Sequence, residues 1–352
     1  MNITFLIGNG FDVGVGMKSR FRDFFPTYIA QSHNKSPDIK QLATKINENY
    51  DTWADFEMAL GKYTELFLPA SWPTFISQMR DFENDFIEYL KEEENSLALD
   101  NQEYISNKML NALQDFYSQS NLAYESFSEI SKVLSFYRAE NYVYNFINYN
   151  YTTVLEKCLD KIPQKIVLQR KTDNKVINDK IGKIIHVHGL YNTHPIMGVN
   201  DSSQIVNENI AKSKRHSKYI IKPEINKNLR QGFDNEATTL IKNSVIICVY
   251  GMSLGATDKK WWDLILQTMA SNGRAQLIIY LYDEEYSPAT SYDYMQREDA
   301  IIDRLSSYNS NKMTNIEDLR SRIHIAIHKN IFSINLKRNA NHIILDNTPL
   351  FI

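Results

Sequence analysis

His188 is the side chain whose type and position in this sequence best suit proton transfer near neutral pH. It lies in the segment Ile184–Leu190, where apolar residues alternate with His186 and His188 before a glycine. An imidazole gains or loses its proton close to neutrality, and the alternation is typical of a β-strand with both histidines on one face. The same pattern fits a hydrogen-bonded structural histidine, so a catalytic role depends on which other residues reach the same place.

Asn150 is a second candidate, because it follows another β-type segment and precedes the start of a helix. The segment Tyr142–Tyr149 is rich in aromatic and β-branched residues. Thr152 or Thr153 can cap the helix that follows, and Glu156 lies near its first turn, where a carboxylate is favourable. In isolation this asparagine is a turn residue, and it gains meaning only beside other strand ends.

Glycines mark two further strand ends. Asn2–Ile7 is an apolar β-type run that opens into Gly8–Asp12, and Ser244–Tyr250 is a near-continuous apolar strand that opens into Gly251–Ser253. Glycines permit tight turns and close approach of the backbone, and free N–H groups at the start of a helix attract phosphate. The first turn therefore fits a nucleotide-binding loop and an ordinary tight turn equally well.

Strands alternate with helices along the chain, which predicts an α/β fold with a Rossmann-like, doubly wound, mostly parallel sheet. Further strands are predicted at Ile166–Leu168, Lys183–His188, Gln276–Tyr282 and Ile323–Ile327. Ligands bind such sheets beyond the carboxyl ends of the strands. We therefore expect the two glycine turns, Asn150 and His188 to line one crevice.

Long helical patterns with few glycines occupy residues 19–141, which predicts a mainly α-helical insertion. The Rossmann-like core then comprises residues 1–18 and 142–352. Within the insertion, Trp53–Gly61 combines an apolar helical stripe with two carboxylates. Core packing explains the apolar members of that stripe without a site.

Composition narrows the class of protein. The 352 residues carry a formal net charge of −3, which argues against a surface built to bind nucleic acid. No apolar stretch approaches the roughly 20 residues that span a bilayer, so no membrane association is expected. Cys158 and Cys248 lie in apolar runs without CxxC spacing, so we expect a cytoplasmic protein without a thiolate metal site.

Several motifs together resemble the AbiH family, a group associated with bacterial abortive infection against bacteriophage. They are Leu6–Asp12 with Gly16, Trp53–Glu57 with Leu60–Gly61, Tyr149–Thr152, His186–Gly189, Gly198–Asp201, and Gly251–Gly255 with Asp258. The resemblance implies a role in phage defence and a phage-derived trigger. It also implies a homo-oligomer or a defence-system partner that binds through the helical insertion.

A more distant resemblance is to the sirtuin-like NAD-binding fold, which implies hydrolysis of the nicotinamide–ribose bond by an NAD(P) glycohydrolase. Asn150 and His188 would be catalytic, and NAD or NADP would be the substrate rather than a retained cofactor. The nucleotide-binding residues would be Gly8, Asn9, Gly10, Asp12, Gly251 and Ser253. Thr152 stands where that pattern has an aspartate, and no cysteine zinc module is present, which argues against protein deacetylation.

Two other functions fit the same residues. A metal-dependent hydrolase or nuclease would take its ligands from His186, His188, His194 and Asp201. We expect no metal, however, because this spacing does not fix a third ligand. A non-catalytic nucleotide sensor would bind its ligand in the same crevice and respond through a change in the insertion.

Overall fold

A seven-stranded sheet forms the centre of the computed structural model, which describes residues 1–172, 175–283, 291–310 and 315–338. The strands are β1 (Asn2–Ile7), β2 (Val143–Asn148), β3 (Ile166–Thr172), β4 (Lys175–His186), β5 (Ser244–Tyr250), β6 (Gln276–Leu281) and β7 (Ile323–Ile327). Their spatial order is β3-β4-β2-β1-β5-β6-β7, and only β3 runs antiparallel to its neighbour. The six parallel strands have the 3-2-1-4-5-6 order of a doubly wound sheet. The predicted fold class is confirmed.

Helices occupy the chain between β1 and β2. They are α1 (Gly10–Gly14), α2 (Phe21–Ser32), α3 (Pro37–Glu48), α4 (Tyr50–Trp53), α5 (Phe56–Tyr63), α6 (Trp72–Asn95), α7 (Gln102–Asp115) and α8 (Tyr124–Phe136), with short 3-10 turns at Thr64–Leu66 and Pro69–Ser71. The first of these, α1, begins within the glycine turn, earlier than the predicted helix start near Ser19. None of the described helices is long and apolar enough to cross a bilayer.

The later helices connect and cover the strands. They are α9 (Val154–Leu159), α10 (Glu208–Ala211), α11 (Lys214–Ser217), α12 (Lys222–Leu229), α13 (Phe233–Lys242), α14 (Lys259–Ser271) and α15 (Ser291–Tyr308). Short 3-10 helices lie at Pro163–Lys165, Ser202–Gln204, Ala256–Asp258 and Ile316–Arg322. Parallel neighbours require such crossover connections, because a tight hairpin can join only antiparallel strands.

Two hydrophobic clusters cover the two faces of the sheet. On one face, Phe5 and Phe146 pack in the same cluster as Phe24, Phe56 and Phe82 from the helical insertion. The other cluster joins strand residues such as Leu6 and Val249 to Trp262 of α14. Because the insertion shares its core with the sheet, it is fixed against one face of the sheet. The exact domain boundaries stay a prediction.

The predicted strand Lys183–His188 is wrong at both ends. Strand β4 begins at Lys175, where it pairs with β3 as an antiparallel hairpin, and it ends at His186. Val187 and His188 lie in a turn, after which Gly189 has a φ of +69°. The two histidines therefore do not belong to one strand face, because the strand alternation stops at the first of them.

Candidate active site

The register of the sheet aligns four strand ends at one level. Ile7 of β1 pairs with Asn148 of β2 and with Tyr250 of β5, and Asn148 in turn pairs with His186 of β4. The residues that follow these four positions leave the sheet together at its carboxyl edge. This alignment explains why the glycine turns and the two candidate catalytic residues meet, although they are far apart in the sequence.

They meet at a cavity of about 260 Å³ between this edge and the insertion. Seven of the eight predicted site residues line it, namely Gly8, Asn9, Asp12, Asn150, His188, Gly251 and Ser253. Gly10 does not line this cavity. We call it the acidic cavity, because Asp12, Glu57 and Asp258 are its charged lining residues apart from the histidine.

Asn150 is held at three points. Its backbone N–H donates to Asn148 Oδ1 at 3.0 Å, its carbonyl lies 2.9 Å from His186 Nδ1, and its Nδ2 donates to Asp12 Oδ1 at 3.1 Å. The side chain is 5% exposed. Among the described residues no donor binds Asn150 Oδ1, so this oxygen is an acceptor of fixed orientation at the cavity wall.

Asp12 orients the side-chain amide of Asn150 by accepting the hydrogen bond from Nδ2. It is 1% exposed, and Thr152 Oγ1 donates to its second oxygen at 2.6 Å. Burial raises the pKa of Asp12 to about 7, against the opposing effect of the Thr152 hydrogen bond. Of the two predicted helix caps, Thr153 is the N-cap residue of α9, and its N–H donates to Glu94. Thr152 instead donates to the Asp12 carboxyl group.

His186 is a structural residue that the sequence could not separate from His188. Its Nδ1 faces the Asn150 carbonyl, and its Nε2 contacts the Glu156 carboxylate. The predicted helix-start carboxylate therefore fixes a histidine, and that histidine fixes the backbone of Asn150. Such a relay is a common way to hold a site residue in a single orientation.

The metal-ligand set considered for the sequence is not assembled at this site. His186 is bound to Glu156, His194 lines a different cavity with Glu83 and Lys218, and Asp201 caps the 3-10 turn at Ser203. Within the described ranges, no group of three or more His, Cys, Asp or Glu side chains is arranged to hold a metal ion.

His188 lies beside a buried cation. Its Nε2 is 3.3 Å from Lys222 Nζ, and its ring also hydrogen-bonds to the Tyr149 backbone. Burial, followed by the Lys222 charge, holds the pKa of His188 well below its usual range. The imidazole is therefore neutral at physiological pH, and a neutral ring can accept a proton.

Lys222, Glu57 and Asp258 are the members of the site that sequence reasoning missed. Lys222 is 4% exposed and forms an ion pair with Glu57 of α5 in the insertion. Asp258 lines the cavity just before α14, and burial raises its pKa to about 7. The only sequence signal was the motif membership of Glu57 and Asp258, which named no partner for either.

Two glycine motifs hold the Glu57–Lys222 pair in place. A Cβ atom on Gly61 would lie 2.0 Å from the Gln204 carbonyl oxygen, so α5 packs directly against the backbone of that segment. In the next segment, the Val199 N–H donates to the Ile220 carbonyl at 2.7 Å, and the Val199 carbonyl accepts from the Lys222 N–H at 2.8 Å. The conformation of this segment therefore brings Lys222 to Glu57 and to His188.

The glycines of the first turn allow a close approach of two backbones, which is one of the two roles that the sequence left open, and their nucleotide-binding role stays a prediction. Gly8 N–H donates to the Tyr250 carbonyl and Gly10 N–H to the Gly251 carbonyl, both at 2.9 Å. A Cβ atom would lie 2.5 Å from the Gly251 oxygen if added to Gly8, and 2.5 Å from Gly251 Cα if added to Gly10. We call this contact the glycine seam. It joins the turns after β1 and β5 at the switch point of the sheet.

The fold and this cavity define a Rossmann-like α/β protein with a polar, partly acidic site at the switch point. The model of the family described as bacteriophage abortive infection AbiH matches residues 4–280. The chain belongs to this family, which gives it a role in bacterial abortive infection against phage. A comparison with curated protein sequences gave no significant match.

Proposed function

We propose that this protein is an NAD(P) glycohydrolase that acts in abortive infection. The observation that carries the proposal is Asn150: its backbone is held at two points and its side-chain amide donates to Asp12, which leaves Oδ1 at the cavity wall. An acceptor held in this way can orient a ribose hydroxyl or the attacking water without rearrangement during the reaction.

The charge of the cavity supports the same reaction. The nicotinamide ring of NAD is cationic, and breaking its bond to the ribose moves positive charge onto the sugar in an oxocarbenium-like transition state. Asp12, Glu57 and Asp258 lie around this space. Glu57 is already paired with Lys222, so the negative charge comes from Asp12 and Asp258 when they are ionised, near pH 7 and above. An ionised carboxylate stabilises developing positive charge more strongly in a poorly solvated cavity than in water.

The chemical step balances with water as the only co-substrate. The bond between ribose C1′ and the nicotinamide nitrogen breaks, and nicotinamide leaves as a neutral molecule with the electron pair. A bond forms between C1′ and the water oxygen, and the water proton passes to a base. His188 is that base in this proposal, because its ring lies at the cavity wall; burial and the Lys222 charge hold its pKa low, so it is a weak base while Lys222 stays beside Nε2.

Lys222 affects how His188 accepts the proton. The ammonium lies 3.3 Å from the accepting Nε2, so a substrate hydroxyl or water has to take its place there. The ion pair with Glu57 gives Lys222 a second partner to which it can remain bound. A general base contributes about 10²–10⁴-fold to rate, so the His188 variant should lose less than all activity.

Nicotinamide release from NAD and NADP by the purified chain tests the proposal, with and without lysate from phage-infected cells to supply the proposed trigger. Asn150→Ala should lower the rate about 100-fold or more, because it removes the oriented acceptor Oδ1. Asn235→Ala changes an exposed asparagine on α13 and should have no effect. EDTA should leave the rate unchanged.

Two results would contradict the proposal. The first is binding of NAD without release of nicotinamide under either condition, which would favour the nucleotide-sensor function. The second is full activity of both Asn150→Ala and His188→Ala. Circular dichroism of each variant has to match the wild type, so that a loss of rate reflects the site and not unfolding.

A further inference from the structure

A second cavity lies across the glycine seam from the acidic cavity. Its volume is about 440 Å³, and it is located at the carboxyl ends of β5, β6 and β7. Gly251 lines both cavities, and Gly10, the predicted nucleotide-binding residue that the acidic cavity lacks, lines this one. Ser19 and Arg20 are adjacent in sequence, and they line the first and the second cavity respectively.

The charge of the second cavity is opposite to that of the first. Arg20 and Lys329 line it together with His328, and none of the aspartates and glutamates that the structure describes lines it. Neither Arg20 nor Lys329 forms an ion pair with a carboxylate in the part of the chain that the structure describes. We call it the basic cavity. In a chain with a net charge of −3, two cations left without carboxylates at one cavity favour an anionic ligand.

Aromatic rings form the rest of its lining. Tyr282 is 70% exposed and stacks on His328 with ring centroids 5.1 Å apart, which leaves a flat ring surface open to solvent. Tyr250 and Tyr280 lie deeper, and the Tyr250 hydroxyl donates to Asn330 Oδ1 at 2.5 Å. Exposed rings beside unpaired cations suit a ligand that carries both a planar base and phosphate.

The acidic cavity gives an independent reason to expect such a site. Its volume of about 260 Å³ is below the roughly 300–1,000 Å³ of cavities that enclose drug-sized ligands, so it holds only part of a dinucleotide. Its carboxylates also favour the cationic nicotinamide end and repel the phosphates. The phosphate-bearing half of such a substrate therefore needs a different surface.

We propose that the basic cavity binds a nucleoside diphosphate group, with Arg20 and Lys329 on the phosphates and Tyr282 against the base. If the proposed function holds, this group is the ADP half of the NAD or NADP molecule whose nicotinamide end lies in the acidic cavity, and the molecule crosses the glycine seam. The alternative source of the same chemistry is a separate nucleotide. Both sources require the same two cations.

Equilibrium binding of ADP, measured by titration calorimetry, tests the site without any turnover. Arg20→Ala and Lys329→Ala should each weaken ADP binding about tenfold, because each removes a charge-assisted hydrogen bond to phosphate. Tyr282→Ala should weaken it less. Lys242→Ala removes an exposed lysine on α13, away from the cavity, and should bind ADP as the wild type does.

The source of this group is identified in the Asn150→Ala variant, in which NAD should be consumed about 100-fold more slowly than in the wild type. If NAD displaces ADP at one molecule per chain, the two cavities bind one dinucleotide. If NAD and ADP bind together, a separate nucleotide occupies the basic cavity. Either result supports the site. Absence of ADP binding, or ADP binding that neither cation variant weakens, overturns the proposal whether or not nicotinamide is released.

Discussion

The acidic and basic cavities share the glycine seam and the carboxyl edge of one sheet, yet their charges are opposite. The acidic cavity lies beyond β1, β2 and β4 against the insertion, and its carboxyl groups include two with pKa values raised to about 7. The basic cavity lies beyond β5, β6 and β7, and its charged residues are cations and a histidine. The two halves of one sheet edge therefore have different electrostatic environments.

The difference comes from the segments that follow the strands. The insertion supplies Glu57 to the first cavity, and the turn before α14 supplies Asp258. Lys329 reaches the second cavity from the end of β7. A substrate with a cationic end and an anionic end matches this division, whereas a uniformly anionic ligand such as a nucleic acid does not.

Substitutions in the hydrophobic core should lower the stability of the protein without changing either cavity, so they serve as a comparison for the cavity variants. Trp262 is 1% exposed in the cluster on one face of the sheet, and Trp53 is 5% exposed in the cluster on the other. Trp262→Ala and Trp53→Ala should each lower the free energy of unfolding by about 3–5 kcal/mol. Chemical denaturation measures this loss.

Both core variants should keep nicotinamide release at temperatures where they remain folded. Phe24→Leu, a milder change in the same core as Trp53, should lower stability less and serves as the matched comparison. A loss of rate in a folded Trp262→Ala chain, with unchanged stability, would mean that this ring acts on the site. The inference that Trp262 contributes only to stability would then be wrong.

Much of the fold followed from the sequence. Apolar runs such as Ser244–Tyr250 can be buried on both faces only as central strands, and in the structure every residue of this strand is buried. The meeting of Asn150 with His188 at one cavity also followed, because strand ends in a parallel sheet share an edge. Those inferences needed only local patterns and the rules of strand order.

The rest depended on contacts that no local pattern encodes. Glu57 and Lys222 are 165 positions apart, and nothing in either segment names the other as its partner. The histidine pair was misread because one residue decides where β4 ends, and strand boundaries are the least certain part of a sequence pattern. The glycines fitted a phosphate-binding loop and a tight turn equally well, and only the structure shows that they allow two backbones to touch.

Asp258 offers a second test, because its raised pKa makes stability depend on pH. An unfolded aspartate has a pKa near 3.8 and the folded one about 7, so between these values the folded chain holds a proton that the unfolded chain has lost. The free energy of unfolding therefore falls as pH rises from about 4 to about 7, and it stays constant above.

Asp258→Asn removes this ionisation. The variant should gain stability relative to wild type as pH rises above about 4, by up to about 4 kcal/mol at pH 7 and above for a shift of this size. Denaturant titrations at several pH values measure the difference. Asp234→Asn, a surface carboxylate paired with Lys260, is the control and should show no such gain. Parallel pH curves for wild type and Asp258→Asn would show that this carboxyl group is solvated.

The smallest expected effect concerns Asp12, where two substitutions separate orientation from charge. Asp12→Asn keeps an oxygen that can accept from Asn150 Nδ2 and adds an amide that can donate to Thr152 Oγ1, so it preserves the anchor but not the negative charge. Asp12→Ala removes both. Loss of a hydrogen bond to a charged group corresponds to about 1.5–3 kcal/mol, or roughly 10–100-fold in rate.

Asp12→Ala should therefore lower kcat for nicotinamide release about 100-fold with little change in KM, and Asp12→Asn should recover about tenfold of that loss. The pH profile separates the two roles. Since Asp12 ionises near pH 7, the wild-type rate should rise through neutrality as the carboxylate forms, and this rise should be weaker in Asp12→Asn, which cannot ionise. Rates and pH profiles of both variants that match those of the wild type would show that Asp12 neither orients Asn150 nor acts through its charge. ADP binding at the basic cavity should stay the same in both variants, because Asp12 does not line that cavity.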